Sequence, residues 1–199
     1  MLNLIRNLFK VLFLLHQRVG SAISTLVGKF MLWVMKVDYG KNLKFFGLIH
    51  VRCSKQSTVI IGSDNTFRSK STSNLIGIDR PCIISSHQNG TIKIGNNCGF
   101  SGTVIGCFKE IIIEDNVRCG ANTLITDSDW HSDDPRSSAP RPIHIETNVW
   151  LGVNVSVLKG VHIGANSIIG AGSIVTENIP ANVIAAGNPC KVIKKINFD

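Results

Sequence analysis

The chain has 199 residues, 44% of them hydrophobic, which is enough for one substantial core with a small appendage. Its 21 Lys and Arg against 13 Asp and Glu give a formal net charge of +8, which favours anionic partners such as phosphates or acidic lipids. The chain has a single Tyr and no run in which aromatic and basic residues alternate. That composition argues against a stacking surface for nucleic acid, and we expect no such partner.

Residues 1–38 form the first predicted element, an amphipathic helical segment. From Val19 onward, apolar residues recur at helical spacing, at Val19, Ile23, Leu26, Val27, Phe30, Trp33, Val34 and Val37. The uninterrupted apolar runs at 11–15 and 30–35 are much too short to span a bilayer. Two interpretations stay open. The helix is either a cap packed on the core or on a neighbouring subunit, or an interfacial helix that contacts an anionic membrane through residues 1–37.

In the C-terminal half an aliphatic residue recurs at every sixth position, at Ile145, Leu151, Val157, Ile163, Ile169 and Val175. This period fits neither a helix nor a hairpin. It fits short strands joined by tight turns, with three hexads in each triangular coil. Stacked coils then place Ile145 against Ile163 and Leu151 against Ile169. Glycines and asparagines between the aliphatic positions predict turns with positive φ, at Asn148, Gly152, Asn154, Gly164, Asn166 and Gly170.

The same rhythm is present but less regular upstream, at Leu43, Ile49, Ile61, Ile76, Ile94, Ile113, Cys119 and Ile125. Uneven spacing on either side of the Ile76–Ile94 pair predicts bulges or short loops in this half. After Ile125 the rhythm stops, and it resumes only at Ile145. The interval contains "DSDWHSDDPRSSAPRP" (127–142), which is polar and rich in proline. We therefore predict a loop extruded at about 127–143, and loops on rigid scaffolds are where function tends to sit.

Together these elements predict an all-β protein, a parallel β-helix over 39–188, preceded by the helical segment 1–38 and followed by a basic tail over 189–199. The six cysteines include no C-x-x-C pair and no zinc-type spacing with histidine. We expect reduced thiols and no metal site. The expected location is the cytoplasm, with the inner face of the membrane as a more specific alternative.

The run "NVWLGVNVSVLKGVHIGANSIIGAGSIVTENIPANVIAAGNPCKVIK" (148–194) closely resembles the hexapeptide-repeat acyltransferases. It is most similar to the maltose and galactoside O-acetyltransferase branch, which includes capsule and lipopolysaccharide acetyltransferases. The resemblance is specific over about 145–199, general over 40–126, and absent from 1–37. It implies a left-handed β-helix, a homotrimer, and acetyl-coenzyme A bound in the groove between neighbouring prisms. Neither the handedness nor the trimer follows from the periodicity.

The resemblance also implies a catalytic residue, since the family's loop carries a histidine that acts as general base, and His131 occupies that position. A sugar hydroxyl is a poor nucleophile, so a base that titrates near neutral pH suits this reaction. Asp127 and Asp129 are candidates for orienting the imidazole or binding sugar hydroxyls. Trp150 corresponds to a tryptophan beside the family's active site.

Further positions correspond to the family's coenzyme A site. Val153 stands where relatives often have a serine near the thioester, and its backbone N–H is a candidate oxyanion donor. Ala171 and Thr176 match positions along the pantetheine arm. Lys191 and Lys194 match basic residues that face the nucleotide phosphates.

One departure from the family concerns the acceptor. The asparagine that binds the sugar in relatives is replaced around Phe100 and Ser101, so a maltose-like or galactoside acceptor is not required. The segment "GCFKE" (106–110) predicts a small local loop that shapes this pocket instead.

The leading hypothesis is transfer of acetyl from acetyl-coenzyme A to a hydroxyl of a sugar or polysaccharide precursor, in a ternary complex without a covalent enzyme intermediate. An amino-sugar N-acetyltransferase would use almost the same residues. A metal-dependent hydratase of the γ-carbonic-anhydrase type needs three converging histidines. His131, His144 and His162 lack the close pair expected there. The last alternative is a β-helix scaffold without catalysis.

Overall fold

The computed structural model of the protein describes residues 2–131 and 133–197, and within the N-terminal helix it describes side chains at 6–7 and from 18 onward. Helix α1 spans Leu2–Val34. The side chains of the apolar run 11–15, and residues 198 and 199 of the expected basic tail, lie outside the described part.

Twelve strands precede the 127–142 loop: β1 (Asp38–Tyr39), β2 (Lys44–Phe46), β3 (His50–Cys53), β4 (Thr58–Ile61), β5 (Thr66–Arg68), β6 (Ile83–Ser86), β7 (Thr91–Ile94), β8 (Gly99–Ser101), β9 (Val104–Cys107), β10 (Glu110–Ile113), β11 (Arg118–Ala121) and β12 (Leu124–Thr126). Eight follow it: β13 (Ile143–Ile145), β14 (Trp150–Leu151), β15 (Ser156–Val157), β16 (His162–Ile163), β17 (Ile168–Ile169), β18 (Ile174–Val175), β19 (Val183–Ala186) and β20 (Lys191–Lys195).

The strands form three sheets, and each of the first six coils contributes one strand to each sheet, while β19 and β20 both belong to sheet B. Sheet A has the order β1-β4-β7-β10-β13-β16, sheet B the order β2-β5-β8-β11-β14-β17-β19-β20, and sheet C the order β3-β6-β9-β12-β15-β18. Neighbouring strands are parallel except β19 and β20, which are antiparallel. The architecture is a left-handed parallel β-helix with a triangular cross-section, as predicted.

The predicted stacking of the C-terminal hexads is confirmed. Ile145 is in register with Ile163, and Leu151 with Ile169. All four side chains are fully buried, so the core is a continuous apolar rod. The same row extends upstream through Ile113.

The turn residues are of two physical kinds, and only one was predicted correctly. Asn148, Asn154 and Asn166 have φ values of 62°, 56° and 61°, as predicted. Gly152 and Gly164 are not among the residues with positive φ. They are needed for close approach, because a Cβ at Gly152 would lie 2.7 Å from the backbone N of Ala171 on the next coil.

One inward-facing repeat position predicted in the N-terminal half, Ile76, is wrong. Ile76 is 65% exposed and lies in the connection between β5 and β6, which also holds a 3-10 turn at Ser71–Ser73. Ile94 instead pairs with Ile61 on one side and Ile113 on the other. The long connection between β5 and β6 happens to contain an isoleucine 18 residues before Ile94, and this coincidence imitated the period.

Helix α1 covers the first coil of the prism. Leu32 is fully buried, and Gly28 lies on the ring of Phe45, where an added Cβ would come within 2.8 Å of Cγ. Phe45 begins a stack of rings with Phe67 and Phe100, with centroids 5.1 and 5.0 Å apart. The helix therefore closes an aromatic end of the core.

At the other end, the segment expected to be a basic tail contains β20, which extends sheet B by pairing with β19. Among the described residues, no helix combines the length and the hydropathy that are needed to span a bilayer.

Candidate active site

The 127–142 loop leaves the prism where β12 of sheet C ends and returns at β13 of sheet A, so it projects from the corner between these two sheets. A cavity of about 130 Å³ lies beneath it. Residues lining this cavity include His131, Asp129, Trp130, Ser138, Phe108 and Gln88. His131 and Asp129, two of the predicted site residues, are thus brought together, and the loop forms a pocket with the 106–110 turn.

Trp130, which precedes His131, is fixed by several contacts. Its φ is 68°, an uncommon value for a bulky residue. The indole Nε1–H donates to Thr126 Oγ1 at 2.8 Å, and the backbone N–H donates to Ser128 Oγ at 3.1 Å. A Cβ at Gly106 would lie 2.2 Å from Cζ2 of the indole, so the ring needs a glycine beneath it. These restraints on Trp130 also restrict where His131 points.

An aromatic cluster supports this tryptophan. The rings of His87 and Phe108 stack with centroids 4.6 Å apart, and Trp130 meets Phe108 edge-on at 5.2 Å. Burial, with a further contribution from Arg52, lowers the pKa of His87. His87 Nε2 is buried and has no hydrogen-bond partner among the described residues. The His87 ring therefore belongs to this aromatic cluster and packs against Phe108 and Trp130.

Asp129 ties the loop to the next coil. Its carboxylate accepts a hydrogen bond from Lys159 Nζ and one from the backbone N–H of Ser138 at 3.1 Å. Lys159 Nζ also donates to Ser138 Oγ at 2.6 Å. The hydrogen bond from Lys159, followed by that from Ser138, lowers the pKa of Asp129. Asp129 remains ionised at neutral pH and connects both arms of the loop to Lys159.

Asp127, the other predicted aspartate, lies outside the cavity. It is fully buried, and its carboxylate accepts backbone N–H bonds from Phe108, Lys109 and Glu110 at 2.7, 2.7 and 2.9 Å. Burial and the neighbouring Asp127 also raise the pKa of the Cys107 thiol. In this protomer Asp127 holds the 106–110 turn that carries Phe108.

Thr176 lies in a second cavity, of about 140 Å³, beside the first. Ser128 and Asp129 line both cavities, and Lys159 lines the second. One wall of the loop therefore separates the histidine from Thr176, on the same corner of the prism.

The remaining predicted residues lie elsewhere on the protomer. Trp150 is 55% exposed in a groove of about 370 Å³ on sheet B, beside Arg118. Val153 and Ala171 occupy successive turns at the corner between sheets B and C, where the Gly172 N–H donates to Val153 O at 2.7 Å. Lys191 and Lys194 are exposed on β20, and Lys191 Nζ pairs with Glu177 at 2.7 Å.

His144 and His162 are stacked on sheet A with ring centroids 5.1 Å apart. Their Nε2 atoms lie 2.7 Å from Glu114 and Glu146, respectively. Each of these histidines is therefore hydrogen-bonded to a carboxylate, and neither lines the His131 cavity. Within 2–131 and 133–197, no group of three or more His, Cys, Asp or Glu residues is arranged to hold a metal ion.

Lys159, Trp130 and Phe108 were not among the predicted site residues, yet they line the two cavities. Trp130 had a visible signal, an aromatic residue beside the candidate base in a polar loop. Lys159 had only a weak one, a charged residue in a coil turn otherwise made of small and apolar residues. Its partner Ser138 is remote in sequence.

Residues 142–177 match the family described as the hexapeptide repeat of succinyl-transferase. The chain is 48% identical over 115 residues to the galactoside O-acetyltransferase of Lactococcus lactis, a match that covers 52% of this chain and 55% of that protein. It is 62% identical over 55 residues to a putative acetyltransferase of Saccharomyces cerevisiae, covering 28% of each. Over these regions the chain is similar to hexapeptide-repeat acetyltransferases. It matches about a quarter to a half of the length of these curated relatives.

A structural likeness extends over most of this hexapeptide-repeat protein. The solved structure of NeuO, a polySia-specific acetyltransferase, superposes with a TM-score of 0.53 at 26% identity, and the match covers 82% of this chain and 77% of NeuO. The likeness therefore includes the N-terminal coils, where the repeat is irregular.

Proposed function

We propose that this hexapeptide-repeat protein is an acetyltransferase that moves an acetyl group from acetyl-coenzyme A to a hydroxyl of a sugar or polysaccharide precursor. One observation carries the proposal. The His131 cavity and the Thr176 cavity lie side by side and share Ser128 and Asp129. A general base and a position that matches the pantetheine arm are therefore separated by a single wall of one loop. The named relatives support acyl transfer as the reaction class.

In this mechanism His131 removes the proton from the acceptor hydroxyl while the oxygen attacks the thioester carbonyl. The new carbon–oxygen bond forms directly in the ternary complex, and the carbon–sulfur bond then breaks. The imidazolium returns its proton to the leaving sulfur, so the products are an acetyl ester and the free thiol. The contacts that fix Trp130 keep His131 in position, which is what efficient proton transfer requires.

The residues present fit the acyl donor. Ala171 is exposed, and a Cβ at Gly172 would meet no atom within 4 Å, so this turn offers open backbone to an extended pantetheine arm. Lys191 and Lys194 supply exposed positive charge for the phosphates. The donor brings the activated acetyl group, and the Val153 backbone N–H is our proposed oxyanion donor.

We also propose that the enzyme is a homotrimer. His131 and Thr176 lie at the corner between sheets A and C, whereas Val153 and Ala171 lie at the corner between sheets B and C. These groups serve one reaction only if neighbouring prisms share a groove. A donor that exists inside cells and six free cysteines support a cytoplasmic location.

The acceptor pocket in this proposal differs from that of a galactoside-specific site. Phe100, at the position expected for the sugar-gripping asparagine, is buried in the stack of rings, and Ser101 accepts a hydrogen bond from Asn74. Phe108 and Trp130 instead give the His131 cavity an aromatic wall that suits the apolar face of a sugar ring.

The decisive experiment incubates the purified protein with acetyl-coenzyme A and paired sugars that differ only in a hydroxyl or an amine at one carbon. Mass spectrometry then identifies the acetylated position. Hydroxyl acetylation that His131→Ala abolishes supports the proposal. Acetylation of the amines alone would assign an N-acetyltransferase. Calorimetry that detects no coenzyme A binding would overturn the enzyme assignment, and light scattering that gives a monomer would overturn the trimer.

A further inference from the structure

Helix α1 turns its apolar stripe away from the protein. Val19, Ile23, Leu26, Phe30 and Trp33 follow one another at helical spacing, and each is more than half exposed. Leu26 is 74% and Trp33 is 68% exposed. Such a row of large apolar side chains on a surface indicates an interaction site.

The orientation of the helix is fixed by its opposite, small and polar face. Ser21 Oγ donates to Phe45 O at 3.1 Å, and Thr25 Oγ1 accepts from Phe45 N–H at 3.0 Å. Gly28 sits on the Phe45 ring, where a side chain would not fit, and Leu32 is buried beside it. Rolling the apolar stripe inward would break both hydrogen bonds and this close contact. The stripe therefore stays on the outside of the protomer.

The charge around the stripe selects the kind of partner. Residues 1–37 contain five basic residues and no Asp or Glu. Arg18 and Lys29 are eleven residues apart, which places them on one flank of the helix beside the stripe, and Lys36 follows at the helix end. Long basic side chains on the flank of an apolar stripe reach toward lipid phosphates while the stripe enters the acyl region. Phe30 and Trp33 are residue types favoured at that interface.

We propose that the outward face of α1 binds the surface of an anionic lipid bilayer without crossing it. A second copy of the chain suits this face less well, because two such helices would bring together segments that carry only positive charge. Anionic lipid satisfies both the apolar stripe and the basic flank. This inference concerns a surface remote from the His131 cavity and does not depend on acetyl transfer.

The test is vesicle flotation of the full-length protein at low salt. Vesicles containing about 30% phosphatidylglycerol in phosphatidylcholine should bind the protein, and pure phosphatidylcholine should bind it at least about tenfold less. Leu26→Gln/Phe30→Gln should lower binding to anionic vesicles by about tenfold or more. Arg18→Gln/Lys29→Gln should lower it by a similar factor and flatten its dependence on salt.

The matched control is Leu75→Gln/Ile76→Gln, which removes two exposed apolar side chains from the connection between β5 and β6 and should leave binding unchanged. Equal thermal unfolding midpoints would show that all variants fold. The proposal is overturned if the wild type ignores anionic vesicles, or if Leu26→Gln/Phe30→Gln binds them as the wild type does. It is also overturned if that variant changes the mass measured by light scattering, because the stripe is then buried between copies.

Discussion

The coils at 143–179 and the loop at 127–142 are adjacent in the chain but are held in place by different forces. In the coils, backbone N–H groups donate to the next coil, as Trp150 does to Ser167 O at 2.9 Å, over a core of fully buried aliphatic side chains. In the loop, most of the hydrogen bonds described involve a polar side chain, as in those joining Asp129, Ser138 and Lys159.

This difference separates stability from activity. In the coils, many equivalent backbone hydrogen bonds and buried side chains together stabilise the fold. Truncating one buried side chain leaves a cavity and lowers the free energy of unfolding. A loop held by a few exposed polar contacts adds little stability, yet its geometry decides where the base points. Substitutions in the two regions should therefore affect different measurements.

The largest expected effect is on catalysis. His131→Ala removes the proposed base and should lower kcat by a factor of about 10² to 10⁴. The midpoint of thermal unfolding should stay within about 1 °C, because His131 is exposed in the loop. His162→Ala is the matched control, an exposed histidine on a regular coil, and should keep its turnover. Steady-state kinetics of both variants measure these effects on kcat. A His131→Ala enzyme with wild-type kcat would show that His131 is not the general base.

The opposite behaviour is expected of a core residue in the coils. Ile163→Ala should lower the free energy of unfolding by about 2–5 kcal/mol, because Ile163 is fully buried between Ile145 and the next turn. Ile168, on the next strand of the chain, points outward and is half-buried, so Ile168→Ala should lower the free energy of unfolding by less than about 1 kcal/mol. Urea unfolding measures both. Equal losses would mean that the inward row does not carry the stability of the rod.

Asp127 lies at the junction of the two regions and should affect both. Asp127→Asn replaces a carboxyl group that accepts three backbone N–H bonds by an amide, at an expected cost of about 3 kcal/mol in unfolding free energy. Activity should fall too, since the 106–110 turn supplies Phe108 to the cavity. Asp133→Asn in the exposed loop is the control and should change neither quantity. A stable Asp127→Asn protein with unchanged activity would contradict this structural role.

The regular coils could be predicted from sequence because one physical rule repeats in them. Each hexad places one aliphatic residue inward, so the register of Ile145 with Ile163 follows from counting. The rule fails where an insertion happens to match the period, as at Ile76. It also gives the wrong reason for Gly152, because periodicity does not distinguish a turn with positive φ from a close approach of two backbones.

The position of the loop in the chain could be predicted from sequence, but the contacts that fix its conformation could not. Its boundaries follow from the interrupted rhythm, and its lone histidine indicates chemistry. The two aspartates are two residues apart and look equivalent in the sequence, yet one is buried under a turn and the other faces a cavity. Contacts between Asp129 and Lys159 join positions thirty residues apart, and no local pattern encodes them.

A smaller effect is expected at Lys159. Lys159→Gln removes the cation that joins Asp129 to Ser138, so the loop should become more mobile and kcat should fall by about tenfold. Lys159→Arg should recover part of this loss. The control is Lys93→Gln, an exposed lysine on β7, with unchanged kinetics expected. If KM alone rises while kcat holds, Lys159 serves binding and not the position of the base.

The smallest effect concerns the carboxylates on sheet A and should appear only as a pH dependence. A hydrogen bond from the Ala165 N–H, followed by one from His162, lowers the pKa of Glu146. A carboxylate with a lowered folded pKa stabilises the protein above its unfolded pKa, near 4.3, and this contribution is lost as pH falls through the folded pKa.

Glu146→Gln should therefore cost about 0.5 kcal/mol near pH 7, since the side chain is partly exposed. Urea unfolding of both proteins from pH 7 down to about pH 3 should show the difference shrinking below pH 4. Lys93→Gln, which changes one charge on the same sheet without such contacts, is a suitable comparison. A difference that persists undiminished at pH 3 would show that packing of the side chain, and not its charge, stabilises this turn of the regular coils.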